Sequence, residues 1–138
     1  MKYFVSLLCY RLLSFLLLPV LIITLLLRSI NHAKYRHRLL ERFGWLSRRT
    51  TVGGIVVHAA SVGEVIALKA FIEQLLHHYS GLSITITTFT PTGSAQVKKL
   101  FGDRVQHYYL PLDIFCCTWL FLRTLKPTAM IFMETELW

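Results

Sequence analysis

The chain has 138 residues, of which 54% are hydrophobic and only 16% are charged, and its formal net charge is +8. This composition excludes a disordered chain and is more apolar than is typical of a wholly soluble domain, so we expect part of the chain to be embedded in a membrane. The excess of positive charge favours an anionic partner, such as nucleic acid, phospholipid or a phosphorylated substrate.

The N-terminal segment, residues 1–27, is predicted to form a membrane-anchor helix. Arg11 is the only charged residue between positions 3 and 27. A helix of this length is long enough to cross the ~30 Å hydrocarbon core of a bilayer. Two interpretations remain open, a single crossing or a tilted, interfacial anchor with Arg11 at the membrane surface.

A basic juxtamembrane segment, residues 28–52, follows the anchor. Between positions 28 and 49 there is one acidic residue, Glu41, and seven basic ones. An excess of this kind places the flank on the cytoplasmic side and suits anionic lipids. Because no recognised nucleic-acid-binding module accompanies the cluster, we expect no nucleic-acid partner. The basic residues are Arg28, Lys34, Arg36, Arg38, Arg42, Arg48 and Arg49.

The remaining part, residues 53–138, alternates between strand-like and helix-like patterns. Apolar, β-branched runs predict four strands, and amphipathic spacing predicts helices between them. Alternating elements of this kind imply a parallel sheet built from βαβ units, so we expect a Rossmann-like α/β domain. The predicted strands are 55–59, 83–89, 105–110 and 128–133. The predicted helices are 64–79, ended by Gly81, then 91–101, and 113–125, capped by Asp113.

Ligands of such sheets bind beyond the carboxyl ends of the strands, which makes the loops there the candidate site. The first loop contains Ser61, Gly63 and Glu64. Gly63 would permit a tight turn from strand to helix. Glu64 at a helix start is either a partner of the helix dipole or a general base. The dipole favours its carboxylate form and desolvation opposes it, and the sequence leaves open which effect is larger.

Two further loops carry polar residues. Thr92, Gly93 and Ser94 begin a predicted helix, where their hydroxyls and free amides would bind a phosphate group, or where Thr92 or Ser94 would simply cap the helix. Glu134 and Glu136 directly follow an apolar strand and share one face of it, either pointing toward a substrate or lying at a solvated strand end. The lysine of a nucleotide-binding P-loop is absent from the Thr92 loop.

The histidines and cysteines do not have the spacing of a metal site, and we predict none. His58 lies inside an apolar strand and is expected to be a hydrogen-bonded core residue. His77 and His78 are expected on a helix surface. Cys9, Cys116 and Cys117 do not suggest a disulfide framework, so we expect reduced thiols.

Four motifs together, in this order, resemble one known family. They are HAASVGE at 58–64, TTFTPTGS at 87–94, HYYLPLD at 107–113 and METELW at 133–138, preceded by ERFG at 41–44. The family is that of the 3-deoxy-D-manno-octulosonic acid (Kdo) transferases of Gram-negative bacteria. The resemblance extends over essentially the whole chain, although members of the family are much longer and continue into a donor-binding half.

The resemblance implies a GT-B glycosyltransferase on the cytoplasmic face of the bacterial inner membrane. Such an enzyme transfers Kdo from CMP-Kdo to the lipid A precursor, lipid IVA, with inversion and without a metal or other cofactor. It implies that Glu64 is the base and that Glu134 belongs to the acceptor side. We expect the chain to hold the acceptor-binding part and to need a separate C-terminal half for activity. The alternative is a non-catalytic, membrane-bound module that binds anionic lipid through residues 28–49.

Overall fold

The computed structural model describes residues 16, 19–20, 23–24, 38–47 and 50–133. The chain divides into two compact units, Met1–Leu39 and Leu40–Trp138. In the first unit, the described residues Leu16, Pro19, Val20, Ile23 and Thr24 are helical. Most of the predicted anchor helix over 1–27 and much of the basic segment therefore lie outside the described residues. In the portion of the chain that is described, none of the helices is both long and apolar enough to cross a bilayer.

The second unit alternates strands and helices as predicted. After a 3₁₀ helix at Leu39–Phe43, the strands are β1 (Ile55–His58), β2 (Ile84–Thr88), β3 (Gln106–Tyr109) and β4 (Ala129–Phe132). The helices are α1 (Val62–Ala67), α2 (Lys69–His78), α3 (Pro91–Phe101) and α4 (Phe115–Leu125), with a 3₁₀ turn at Gly102–Arg104. The compact unit begins at Leu40, and the predicted boundary between the basic segment and the α/β domain stays a prediction.

The four strands form one sheet in the order β3-β2-β1-β4, with all pairs parallel. The register pairs His58 at the end of β1 with Thr87 of β2 and Phe132 of β4. β3 and β4 are the two edge strands, and the connection between them contains α4. This topology confirms the predicted Rossmann-like α/β class and brings the carboxyl ends of all four strands to one edge.

Both faces of the sheet are covered, which explains why β2 is buried at every position. Neighbouring residues of β1 point to opposite faces, so Val57 joins the core that includes residues of α1, α2 and α3, and Val56 joins the core that includes residues of α4. The second core also contains Leu46, which comes from the chain ahead of β1. The segment before the sheet therefore forms part of the domain core.

Three details of the helices differ from the sequence-based expectations. The helix predicted over 64–79 is two helices that meet at Leu68, and it begins at Val62 because Ser61 is its N-cap. Asp113 does not cap α4, whose N-cap residue is Ile114 without a side-chain hydrogen bond. Gly63 lies inside α1 rather than in a strained turn, and a Cβ there would meet only the Ser61 hydroxyl, at 3.8 Å.

Candidate functional site

Glu64 and Ser61 form a capping box where the chain leaves β1 and enters α1. The Glu64 amide donates to Ser61 Oγ over 3.3 Å, and the Ser61 hydroxyl donates to Glu64 Oε1 over 2.6 Å. The amides of Ser61 and Ala60 donate to Oε1 and Oε2 over 3.1 and 2.9 Å. The carboxylate is thus turned back over the end of β1 and accepts three hydrogen bonds there, while the residue remains half-exposed.

These contacts decide the balance that the sequence left open. Partial burial raises the pKa of Glu64. The hydrogen bonds from the Ser61 hydroxyl and from the Ala60 and Ser61 amides, with a contribution from His58, lower it, and together they outweigh the effect of burial. The net effect is a pKa below that of an ordinary glutamate. Glu64 is therefore a carboxylate at neutral pH, ready to accept a proton or a hydrogen bond from a hydroxyl group.

His58 lies directly behind this loop and is buried, with 2% of its surface exposed. Its Nδ1 lies 2.9 Å from Thr87 Oγ1, and its ring makes edge contacts with Phe89 and Phe132. Desolvation lowers the pKa of His58, although the Glu64 carboxylate and a hydrogen bond to Thr87 partly offset the shift. The prediction of a hydrogen-bonded core histidine is confirmed, and the side chain is neutral at pH 7.

The second loop begins α3, and its cap is Thr90 rather than Thr92 or Ser94. Thr90 Oγ1 accepts from the Gly93 amide over 3.1 Å, and the Ser94 amide donates to the Thr90 carbonyl over 3.0 Å. The Gly93 and Ser94 amides, which were expected to be free for a phosphate group, are therefore engaged within the turn. The Thr92 hydroxyl is exposed and donates to Thr90 Oγ1 over 3.1 Å.

His107 connects this second loop to the sheet. Its Nε2 lies 2.9 Å from Thr88 Oγ1, and its Nδ1 lies 3.3 Å from Ser94 Oγ. Gly93 packs tightly in the same place, because a Cβ there would lie 3.2 Å from that of Thr88. Ser94 is therefore held as part of the turn, and Gly93 is needed for close packing of α3 against the end of β2.

The sequence places Arg42 in the basic segment expected to face anionic lipids, and for this residue that prediction is wrong because the side chain is buried. Arg42 is 6% exposed, its Nη2 donates to the Phe89 carbonyl over 2.6 Å, and its guanidinium lies 4.5 Å from the centre of the Tyr109 ring. Its neighbour Glu41 accepts from the Tyr109 amide over 3.0 Å. The signal available in the sequence is the ERFG motif at 41–44, which is one of the motifs that carry the resemblance.

Glu134 and Glu136 lie outside the described residues. The last described residue, Met133, donates its amide to the His58 carbonyl over 3.1 Å, so the end of β4 is next to the end of β1. Within the ranges that the structure describes, no three His, Cys, Asp or Glu side chains gather as a metal site would require. The absence of a metal site stays a prediction.

Comparison with known proteins identifies the family. The family model of 3-deoxy-D-manno-octulosonic-acid transferase (kdotransferase) matches residues 37–138, which contain all five motifs. The chain belongs to the Kdo transferase family. This finding confirms the resemblance.

Several curated proteins of the Kdo transferase family are similar to this chain, in agreement with the family assignment. A 3-deoxy-D-manno-octulosonic acid transferase of Haemophilus influenzae is 48% identical over 122 residues, or 87% of this chain and 29% of the relative. The enzyme of the same name from Rickettsia bellii is 30% identical over 94% of this chain and 31% of its own length. A probable mitochondrial member from Arabidopsis thaliana is 32% identical over 94% of this chain and 29% of its own. No solved structure gave a significant match.

The chain therefore spans about 30% of the length of these relatives. The matched region begins just before the 3₁₀ helix Leu39–Phe43 and includes every strand of the sheet. What the described residues contain is one part of a Kdo transferase fold, including the whole Ser61–Glu64 capping box and the Thr90 turn.

Proposed function

We propose that this chain provides the acceptor side of a glycosyltransferase that moves Kdo from CMP-Kdo to a hydroxyl group of the lipid A precursor, lipid IVA, in lipopolysaccharide synthesis. The observation that carries the proposal is the half-exposed, ionised Glu64 carboxylate at the carboxyl edge of the sheet, where ligands of such folds bind. Membership of the Kdo transferase family supports the reaction class.

In the proposed reaction, an acceptor hydroxyl oxygen attacks the anomeric carbon of Kdo. The bond from that carbon to the CMP phosphate oxygen breaks, CMP leaves with the electron pair, and the hydroxyl proton passes to Glu64. Because the pKa of Glu64 is low, its carboxylate is a weak base toward a neutral alcohol. Proton transfer is then expected late, after bond formation has made the hydroxyl acidic. A displacement with inversion needs one such base.

The geometry around Glu64 supports a hydroxyl-binding role. The Ser61 hydroxyl already lies 2.6 Å from Oε1, which is the kind of contact that an acceptor hydroxyl must make. Gly63 is exposed, so no side chain covers the surface beside Ser61. We propose that the acceptor enters over Gly63, that Thr92 contacts it, and that Gly93 and Ser94 hold the Thr90 turn in place. Glu134 and Glu136 are proposed to complete the acceptor side.

The CMP-Kdo donor is assigned to a part of the protein beyond this chain, either joined to it or supplied as a separate C-terminal half. No metal or other cofactor enters the proposal. We propose that the enzyme acts at the cytoplasmic face of the bacterial inner membrane, with anionic lipids attracted by the basic residues among 28–49. Arg42 is excluded from that role because it is buried.

The test combines this chain with the part of the Haemophilus influenzae relative beyond the matched region, expressed as a second polypeptide. Kdo transfer from CMP-Kdo to lipid IVA is then measured, with the intact relative as positive control. We expect transfer by the pair and a loss of about 10²-fold or more in Glu64→Gln, because a general base contributes on that order. Glu73→Gln is the matched control, since Glu73 lies on α2 and pairs with Arg104 over 2.6 Å.

Two results would contradict the proposal. A wild-type rate in Glu64→Gln would remove Glu64 as the base while leaving the family's reaction in place. Failure of the wild-type pair to transfer Kdo, although both parts are folded and bound to each other, would reject the transferase function and favour the non-catalytic lipid-binding module.

A further inference from the structure

We propose that Arg42 is a positioning residue, which sets the acceptor loops by holding the junction between β2 and α3 against the junction after β3. This inference rests on the proposed function for its kinetic consequences. It assigns a role to the ERFG motif, which the proposed reaction leaves unused.

The burial of Arg42 is the first argument. A guanidinium group removed from water is costly unless it is hydrogen-bonded or stacked. Arg42 recovers part of this cost at two places, the Phe89 carbonyl at 2.6 Å and the face of the Tyr109 ring at 4.5 Å. These partners lie on two different strand ends, so one side chain fixes both.

Phe89 is the second argument, because it connects Arg42 to both site loops. Its ring lies 4.9 Å from that of His58, which lies behind the Glu64 loop. Phe89 is also bonded directly to Thr90, the N-cap of α3. A hydrogen bond from Arg42 to the Phe89 carbonyl therefore restrains a residue that contacts His58, behind the Glu64 loop, and that directly precedes Thr90, the cap of α3.

The backbone around Arg42 also contacts the loop that follows β3, which contains Leu112. The Leu112 amide donates to the Arg42 carbonyl over 2.8 Å, and the Tyr109 amide donates to the Glu41 carboxylate over 3.0 Å. Directly after Arg42 and Phe43, Gly44 has a φ of +81° and lies so close to α4 that a Cβ there would overlap the Cys117 carbonyl. The ERFG turn thus holds the ends of β2 and β3 together from outside the sheet.

The kinetic test compares Arg42→Gln and Arg42→Lys with Arg104→Gln, a matched control in which the arginine is exposed and pairs with Glu73. In the two-polypeptide transfer assay, we expect Arg42→Gln to raise the KM for lipid IVA by about tenfold and to leave the KM for CMP-Kdo unchanged, because only the acceptor loops are displaced. Arg42→Lys keeps a donor for Phe89 and should recover part of the loss.

A purely structural role predicts something different, namely fewer folded molecules with both KM values unchanged. That result would overturn the proposal. A tenfold rise in both KM values, or an equal effect of Arg104→Gln, would also overturn it.

A second measurement does not depend on catalysis. Hydrogen exchange of the chain itself is followed at the amides of Gly93 and Leu112, with Val97 inside α3 as internal reference. We expect Arg42→Gln to speed exchange at Gly93 and Leu112 by about tenfold relative to Val97, because these amides are released locally. Uniform acceleration at all three positions would overturn the proposal. If the wild-type pair transfers no Kdo, the proposed function fails, and this exchange pattern alone decides the role of Arg42.

Discussion

The Ser61 hydroxyl donates to Glu64 Oε1 over 2.6 Å while the Glu64 amide donates back to Ser61 Oγ over 3.3 Å. The two residues therefore stabilise the start of α1 and the ionised form of the candidate base with the same pair of contacts. Structure and proposed chemistry are coupled at this point, because any change to the cap also changes the proton affinity of Glu64.

Ser61→Ala is expected to destabilise the protein by about 1 kcal/mol, the usual cost of losing an N-cap side chain. The same change should raise the pKa of Glu64, because the Ser61 hydroxyl gives the largest of the contributions that lower it. Urea unfolding measures the first effect, and NMR titration of labelled glutamate carboxyls measures the second. Ser80→Ala, in the exposed turn after α2, is the control. An unchanged Glu64 pKa in Ser61→Ala would contradict this account of the carboxylate.

Gly63→Ala separates stability from function. Glycine inside a helix is less favourable than alanine by roughly 0.5–1 kcal/mol, and a Cβ at this position meets only the Ser61 hydroxyl, at 3.8 Å. We therefore expect a more stable protein, with slower Kdo transfer because the new methyl group covers the proposed acceptor path. Thermal unfolding and the transfer assay test the two parts. A more stable variant with unchanged transfer would move the acceptor path away from Gly63.

Stability should depend on pH through His58. Burial lowers the pKa of His58, so the folded state keeps the ring neutral at a pH where the unfolded state binds a proton. The unfolded state then binds more protons, and the free energy of unfolding should fall as the pH drops below about 6.5, the ordinary value for histidine.

In His58→Gln this slope between pH 7 and 5 should become smaller, whereas His77→Gln, on the exposed face of α2, should keep it. Denaturant unfolding at a series of pH values measures both variants. Glu64 adds a separate effect at lower pH. Because the pKa of Glu64 is lowered in the folded state, its contribution to stability is present above the ordinary glutamate value and is lost as the pH falls through the folded pKa.

For the histidine, parallel stability profiles of wild type and His58→Gln between pH 7 and 5 would contradict the assignment of a buried, neutral ring.

Gly44 and Gly53 form a natural comparison, because both have a positive φ, +81° and +89°. A Cβ at Gly44 would overlap the Cys117 carbonyl, whereas a Cβ at Gly53 would meet nothing within 4 Å. Gly53→Ala should cost about 1 kcal/mol from backbone strain alone, and Gly44→Ala should cost clearly more. Urea midpoints give the ranking. Equal losses would show that the ERFG turn does not need its close approach to α4.

Cys116 and Cys117 should react differently with alkylating reagents, although their sulfur atoms lie 4.0 Å apart. Cys116 is exposed, and Cys117 is buried with a pKa raised to about 11 by desolvation and by Cys116. At pH 8 only about one thiol in a thousand at Cys117 is ionised, so iodoacetamide should modify Cys116 much faster. Peptide mass spectrometry after a short exposure distinguishes the two, and equal modification would contradict the buried placement of Cys117.

Much of this fold could be predicted from the sequence because its signals are local. The β-branched run of β2 and the apolar runs of β1 and β4 mark strands by composition alone, and the helix spacing between them marks a parallel sheet. The start of α1 was misplaced, although Ser61 followed three residues later by a glutamate is the capping-box pattern. Asp113 was predicted to cap α4, but the helix begins one residue later than a cap at Asp113 requires, and its N-cap is Ile114.

Ser61 and Glu64, only three positions apart, were identified as candidate site residues from the sequence, which also supplied the motifs of the family. Tertiary structure decided the strand order, the engagement of the Gly93 amide and the burial of Arg42. Arg42 reaches Phe89 across 47 positions, and Glu41 reaches Tyr109 across 68. A charged residue in a basic run has the same local pattern whether water or a carbonyl solvates it, and only the folded chain brings that carbonyl within reach.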